Sequence, residues 1–152
     1  MKLARDGVRL SLRLLSTGRL IEREIDTLMR ARFGSTLARF DFLSAIDRHG
    51  PLTLGAVSQY LLVSNGNITG LAARLKVDGL IEAREDEGDR RVQIVRLTPR
   101  GESLFKKMAK AHETCVERLL GDLGPSEKQA LMRLLDGAKA SVRGRLVREA
   151  TP

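Results

Sequence analysis

At 152 residues and 42% hydrophobic side chains, the chain has room for one compact domain, or one domain with extended dimerisation arms. No run of 18 apolar residues is present to span a membrane, the N-terminus lacks a signal-peptide apolar core, and the single cysteine excludes an internal disulfide, so a cytoplasmic protein is expected. A net charge of +8 and a pI of about 10.4 favour an anionic partner such as nucleic acid, whereas an aromatic content of 3% with no Trp argues against base-stacking readers of single strands.

Residues 7–32 read as a long helix, with Leu14, Ile21, Ile25, Leu28 and Met29 at helical spacing. Apolar residues on more than one face suit packing against another subunit or a distant helix, and Gly34-Ser35 breaks the pattern. Leu37–His49 is a second helix, its apolar side made by Phe40, Leu43, Ala45 and Ile46 and its stop by Gly50-Pro51. His49 reads as a turn residue. A short third helix spans about 55–60, capped by Thr53, with Ala56, Val57 and Leu61 facing inward.

The segment 63–79 predicts a fourth helix with a marked start and stop. Ser64 is the expected N-cap, Val63 and Ile68 form a hydrophobic staple, and Gly79 suits the position just past the end. Ile68, Leu71, Ala72 and Leu75 fall on one side and Gly66, Asn67, Thr69, Gly70, Ala73 and Arg74 on the other. Two glycines in a helix interior cost roughly 1 kcal/mol each relative to alanine. Such a face suits close approach to a DNA major groove, and is equally consistent with plain solvent exposure. With the third helix it makes a helix-turn-helix.

Strands follow at about 80–85 and 92–97, joined by the polar turn 86–91, which predicts a projecting β-hairpin. Thr98-Pro99 opens a helix to about residue 120, with Leu104, Met108, Ala111, Cys115 and Leu119 on one stripe. Leu123-Gly-Pro-Ser-Glu starts the last helix, whose narrow seam is Leu131, Leu134, Leu135, Ala138, Val142 and Leu146. The expected fold is mainly α with a small β-hairpin wing. It comprises a dimerisation helix (1–36), a winged helix-turn-helix (37–100) and C-terminal dimerisation helices (101–152) in a single intertwined domain. The charge excess lies in the flanks: residues 1–37 carry 8 Lys/Arg against 4 Asp/Glu, residues 98–152 carry 11 against 7, and residues 38–97 carry 8 against 8. Individual arginines must therefore matter more than bulk charge in the centre.

The runs Arg48-His-Gly-Pro-Leu-Thr-Leu, Val63-Ser-Asn-Gly-Asn-Ile-Thr-Gly-Leu-Ala-Ala-Arg-Leu and Gly88-Asp-Arg-Arg-Val, with Leu97-Thr-Pro-Arg-Gly101, resemble the MarR (multiple antibiotic resistance regulator) family of winged-helix transcription factors. The wing pattern of that family matches at Asp89, Arg91, Leu97, Thr98 and Gly101. The resemblance implies a triangular homodimer on a palindromic site, its two reading helices in successive major grooves roughly 34 Å apart and its wing tips in the flanking minor grooves. It places Ser64, Asn65, Asn67 and Thr69 at base edges, where an Asn amide pairs with adenine and a Thr methyl meets thymine. Arg74 is expected on phosphate or a base edge, Arg91 in the minor groove braced by Asp89, and Arg90 on phosphate. The loop taken alone could equally be a solvated charged turn.

Family effectors bind between the dimerisation helices and the winged helix, which nominates Arg19, Arg23, Met29, Arg32, Phe40, Phe105, Met108 and His112. Apolar surface beside Arg suits an amphipathic aromatic acid. The Ser-Asn-Gly-Asn-Ile-Thr-Gly form is similar to that of members controlling aromatic-acid catabolism, some sensing the coenzyme A thioester. The basic flanks fit a polyphosphorylated ligand or long-range attraction to DNA. A packed or surface role is expected for His112 and a small core role for Cys115. No metal cluster, nucleophile–base pair or Gly-rich phosphate loop is present in the sequence, so no cofactor, metal or enzymatic activity is expected. The expectation is a ligand-released repressor of double-stranded DNA, with an architectural DNA binder lacking an effector as its rival.

Overall fold

Residue order already implies helices separated by one small sheet, and the computed structural model has this form. It describes the backbone of residues 2–61 and 65–149, with side chains from 5–61 and 66–149. The order is α1 (Lys2–Phe33), α2 (Leu37–His49), β1 (Leu52–Thr53), α3 (Leu54–Leu61), α4 (Asn65–Val77), β2 (Ile81–Glu85), β3 (Gln93–Leu97), α5 (Pro99–Leu119) and α6 (Pro125–Glu149). The chain divides into two compact units, Met1–Val116 and Glu117–Pro152. The division falls inside α5.

In the first unit one apolar cluster joins every element. Met29 of α1, Phe42 and Leu43 of α2, Val57 of α3, Leu75 of α4, Val95 of β3 and Met108 of α5 are all fully buried in it. Phe42, absent from the expected apolar set of α2, is one of the largest of these side chains. A buried aromatic of this size contributes to the hydrophobic term on a par with Phe40 of the same helix.

Two polar links fix how α2 leaves α1. The Asp26 carboxylate accepts from the Leu37 amide at 2.8 Å and from Arg30 at 2.6 Å. These bonds hold its carboxyl below the usual carboxylate range, the Leu37 amide contributing most. Thr36 then caps α2 by accepting from the Arg39 amide at 3.2 Å. Arg39 reaches across to Asp78, just past α4, and forms an ion pair with it. The His49 ring, ending α2, stacks on Tyr60 of α3 with centroids 4.0 Å apart.

The sheet has three antiparallel strands in the order β1-β3-β2, one more than a hairpin. Leu52 pairs with Val95 and Thr53 with Ile94, so the approach to α3 is itself a strand. Thr53 also caps α3, its hydroxyl accepting from the Ala56 amide at 3.1 Å. Two residues cannot show the alternation by which a strand is recognised.

In the second unit, α6 starts with Gly124 donating to the Glu127 carboxylate at 2.7 Å, and Lys128 pairs with Glu117 at 2.9 Å. No described residue of α6 is buried: its apolar seam, including Leu134, Val142 and Leu146, is open.

Candidate nucleic-acid interface

The helix α4 is built as its periodicity demands. Ile68, Ala72 and Leu75 are buried and Leu71 is partly so, while Gly66, Asn67, Thr69, Gly70, Ala73 and Arg74 are exposed. The expected Ser64 cap and Val63 staple lie outside the described residues, as does the side chain of Asn65. At the other end the Leu80 amide donates to the Leu75 carbonyl at 2.9 Å and Gly79 to Lys76 at 3.0 Å. With Gly79 at φ +68, this is a Schellman stop, which satisfies carbonyls that the helix end leaves unpaired.

That stop is latched to the start of α5. The Thr98 hydroxyl donates to the Gly79 carbonyl at 2.6 Å and accepts from the Gly101 amide at 3.0 Å, while the Thr98 amide donates to Leu80 at 3.1 Å. Gly101 packs so closely on this turn that an added Cβ would stand 1.9 Å from the Leu80 carbonyl oxygen. The Leu-Thr-x-x-Gly pattern thus encodes a tight crossing that fixes where α4 ends.

The wing tip is ordered by two aspartates. Asp86 Oδ2 accepts from the Gly88 and Asp89 amides, both at 3.2 Å, and closes the turn. Asp89 grips Arg91 as a fork, Oδ1 to Nε at 3.1 Å and Oδ2 to Nη2 at 3.1 Å, while also accepting from the Arg91 amide. The Arg91 side chain is nonetheless 90% exposed. Its hydrogen bond lowers the Asp89 carboxyl below its ordinary range, so the brace is ionised at neutral pH. Arg90 is exposed beside it.

The nominated ligand residues separate into two groups. Met29, Phe40, Phe105 and Met108 are buried core. The Phe40 ring stacks on Phe105 at 5.6 Å and on His112 at 4.9 Å, and burial pushes the His112 imidazole below its usual value. Arg19, Arg23 and Arg32 stay on the exposed side of α1, with Arg32 5.8 Å over the Phe33 ring. Cys115 is buried.

A cavity of about 480 Å³ lies elsewhere, between the start of α2 and the flank of α4. Asp41 and Arg74 are its ionisable residues, and Leu61, Ile68 and Leu71 its largest apolar walls. Burial, with a smaller push from Glu22 of α1, raises the Asp41 carboxyl to about 6. Sequence reasoning passed over Asp41. The available signal was an acid between two aromatics, Phe40 and Phe42. Among the described residues no group of three His, Cys, Asp or Glu is placed to hold a metal ion, and no helix is long and apolar enough to cross a membrane.

A helix-turn-helix followed by a braced β-wing defines a winged helix-turn-helix protein. Residues 33–92 match the MarR family. The sequence is 33% identical over 100 residues to the transcriptional repressor NicR of Pseudomonas putida, covering 66% of this chain and 63% of that one. It is 29% identical over 114 residues to the transcriptional activatory protein BadR of Rhodopseudomonas palustris, covering 70% and 65%. The chain thus spans less than two thirds of either relative. A mutant MarR from E. coli in complex with operator DNA superposes with a TM-score of 0.79 at 21% identity, over 88% of this chain and 95% of that one. BpsR of Bordetella bronchiseptica, whose DNA binding is regulated by 6-hydroxynicotinic acid, superposes with a TM-score of 0.71 at 25% identity, over 84% and 98%. NicR and BadR are transcription regulators.

Proposed function

We propose that the chain is a DNA-binding transcriptional regulator that acts as a homodimer on a palindromic operator. The observation that carries this reading is the forked Arg91 on the wing tip, held by Asp89 yet 90% exposed, on the same head as the small-polar face of α4. An arginine pre-oriented in this way suits the negative potential of a narrow minor groove. Asn67 and Thr69 supply base-edge contacts in the major groove, with Ser64 and Asn65 as their neighbours toward the helix start. Arg74 and Arg90 serve phosphate.

Dimerisation is supported by two open apolar faces, one on α1 (Leu12, Leu15, Leu20) and one on α6 (Leu134, Val142, Leu146). Monomeric proteins rarely leave such patches uncovered.

A small aromatic or heteroaromatic acid, or its coenzyme A thioester, releases the operator in this reading. The regulation of BpsR by 6-hydroxynicotinic acid supports an effector of this class. Ligand entry at Met29, Phe40, Phe105, Met108 and His112, beside Arg19, Arg23 and Arg32, requires the stacked ring layer to part. NicR represses and BadR activates; repression is proposed here because NicR has the higher identity.

A gel shift on the DNA upstream of the chain's own gene tests the reading. Binding is expected, with Asn67→Ala changing base preference. No shift, or unchanged preference, overturns it. An operator complex that no aromatic acid or thioester releases leaves an architectural DNA binder.

A further inference from the structure

We propose that the outer side of α1 is a second, sequence-independent site for double-stranded DNA, which holds a further duplex segment while α4 and the wing engage an operator. The inference goes beyond the reading above and rests on it only for the duplex held at α4.

At 100° per residue Arg5, Arg9, Arg13, Arg19 and Arg23 fall within about 120° of one another, on the side opposite Ile25 and Met29. All five arginines are exposed, whereas Ile25 and Met29 are buried. At 1.5 Å of rise per residue the row is about 27 Å long. Among the described residues the ion pairs of α1 are Arg9 with Asp6, at 3.8 Å, and Arg30 with Asp26, at 2.6 Å. Arg5, Arg13, Arg19 and Arg23 have no counter-ion there. Like charges four residues apart repel along a helix, and Arg5, Arg9 and Arg13 repeat that spacing, as do Arg19 and Arg23. An anionic partner relieves this repulsion, and a guanidinium is suited to phosphate oxygens.

The placement of charge favours a duplex. Residues 38–97, which hold α4 and the wing, carry 8 Lys/Arg against 8 Asp/Glu, while residues 1–37 carry 8 against 4. The head that would read bases has no net attraction to a polyanion, and the attraction sits on α1. A duplex presents one negative charge per about 1.7 Å of its axis, enough for every arginine of the row. A protein bound to DNA by its head also meets other segments of the same polymer at high effective concentration.

One duplex does not serve both surfaces. Ile25 and Met29 enter the same apolar cluster as Ile68, Ala72 and Leu75 of α4. The core therefore lies between the arginine row and the exposed Asn67 and Thr69, so a duplex on one surface leaves the other open. Leu12 and Leu20 stand within the row. A helix of a second copy covering them leaves the guanidinium groups at its rim, because the apolar stem of arginine lets the charge reach solvent.

A bridging assay on the full chain tests this. The DNA upstream of the chain's own gene is fixed to beads, the chain is bound to it, and capture of a labelled duplex of unrelated sequence is measured. Capture is expected for the native chain. Arg5→Gln, Arg9→Gln and Arg13→Gln together should cut it at least about tenfold and lower the salt slope of that second binding by about three, one per arginine removed. The gel shift on the upstream DNA is expected to stay as in the native chain. Arg19 and Arg23, which border the proposed ligand entry, stay native in this variant. Capture by the variant equal to native, or no capture by a native chain that shifts the upstream DNA, overturns the second site and leaves the operator reading intact. Capture that falls only in step with dimer mass in sedimentation velocity overturns it as well. So does retention of the native chain on anionic vesicles without capture of duplex, which assigns the row to a lipid surface. A native chain that shifts no upstream DNA fails the operator reading; the row is then judged by anisotropy on the unrelated duplex alone, where equal binding by native chain and variant overturns it.

Discussion

Gly101 and the carbonyl oxygen of Leu80 are so close that one methyl group on Gly101 would stand 1.9 Å from that oxygen. The obstacle is backbone, not a movable side chain, so α5 or the turn after α4 must shift to admit it. Gly101→Ala is expected to destabilise the chain by about 3 kcal/mol, at the upper end of the usual overpacking range. Urea unfolding measures this, and a midpoint within error of the native one contradicts the crossing described.

Thr98 contributes from the same place by hydrogen bonding. Thr98→Val keeps the shape but removes both the donor to Gly79 and the acceptor for Gly101. A loss of about 1–2 kcal/mol is expected. Amide exchange should speed up first at Gly79 to Gly101 and not in α1, since the latch joins only those segments.

On the wing, removing either partner of the fork should weaken operator binding. Arg91→Ala is expected to cost about 1–3 kcal/mol, tenfold or more in Kd. Asp89→Ala removes a negative charge from the surface proposed to meet DNA, and simple electrostatics predicts tighter binding. The fork predicts weaker binding, because Arg91 loses its orientation. Fluorescence anisotropy at fixed salt decides between these opposite signs.

Asp41 makes stability depend on pH in the unusual direction. Its carboxyl titrates at about 6 in the folded chain against 3.8 ordinarily, so the folded state holds the proton more tightly. Stability therefore falls as pH rises from about 4 to 6 and is level above that. The surrounding charges are Glu22 from α1 and Arg74 from α4. Asp41→Asn should be more stable than the native chain at pH 7.5 by about 1 kcal/mol, after allowing for solvent screening of a half-buried group, and equal to it near pH 3.5. A pH-independent difference argues against the titration.

The helices and the wing were legible because their signals are local. Leu37–His49 has its stop at Gly50-Pro51, Gly79 marks the end of α4, and Thr98-Pro99 starts α5 within one or two residues of the expected places. β1 was not legible, since pairing of Leu52 with Val95 has no trace in a two-residue segment. The Arg39–Asp78 pair and the Thr98–Gly79 bond were hidden for another reason: each joins residues far apart in the chain. Of the residues nominated on the DNA side, Asp89 and Arg91 are brought together, and Asn67, Thr69 and Arg74 share the open side of α4. Whether the face of a residue is a cavity wall depends on what stands opposite, and for Gly70 that is the start of α2.

Asp26 holds the first amide of α2, and two residues later Arg39 grips Asp78 at the far end of the reading helix. Three helices are thereby geared together through side chains instead of hanging from loops. A tilt of the last turns of α1 would be passed toward α4 through these two contacts. The distance between two reading helices in a pair of such chains would then be set like the jaw of a caliper, at the arm and not at the tip.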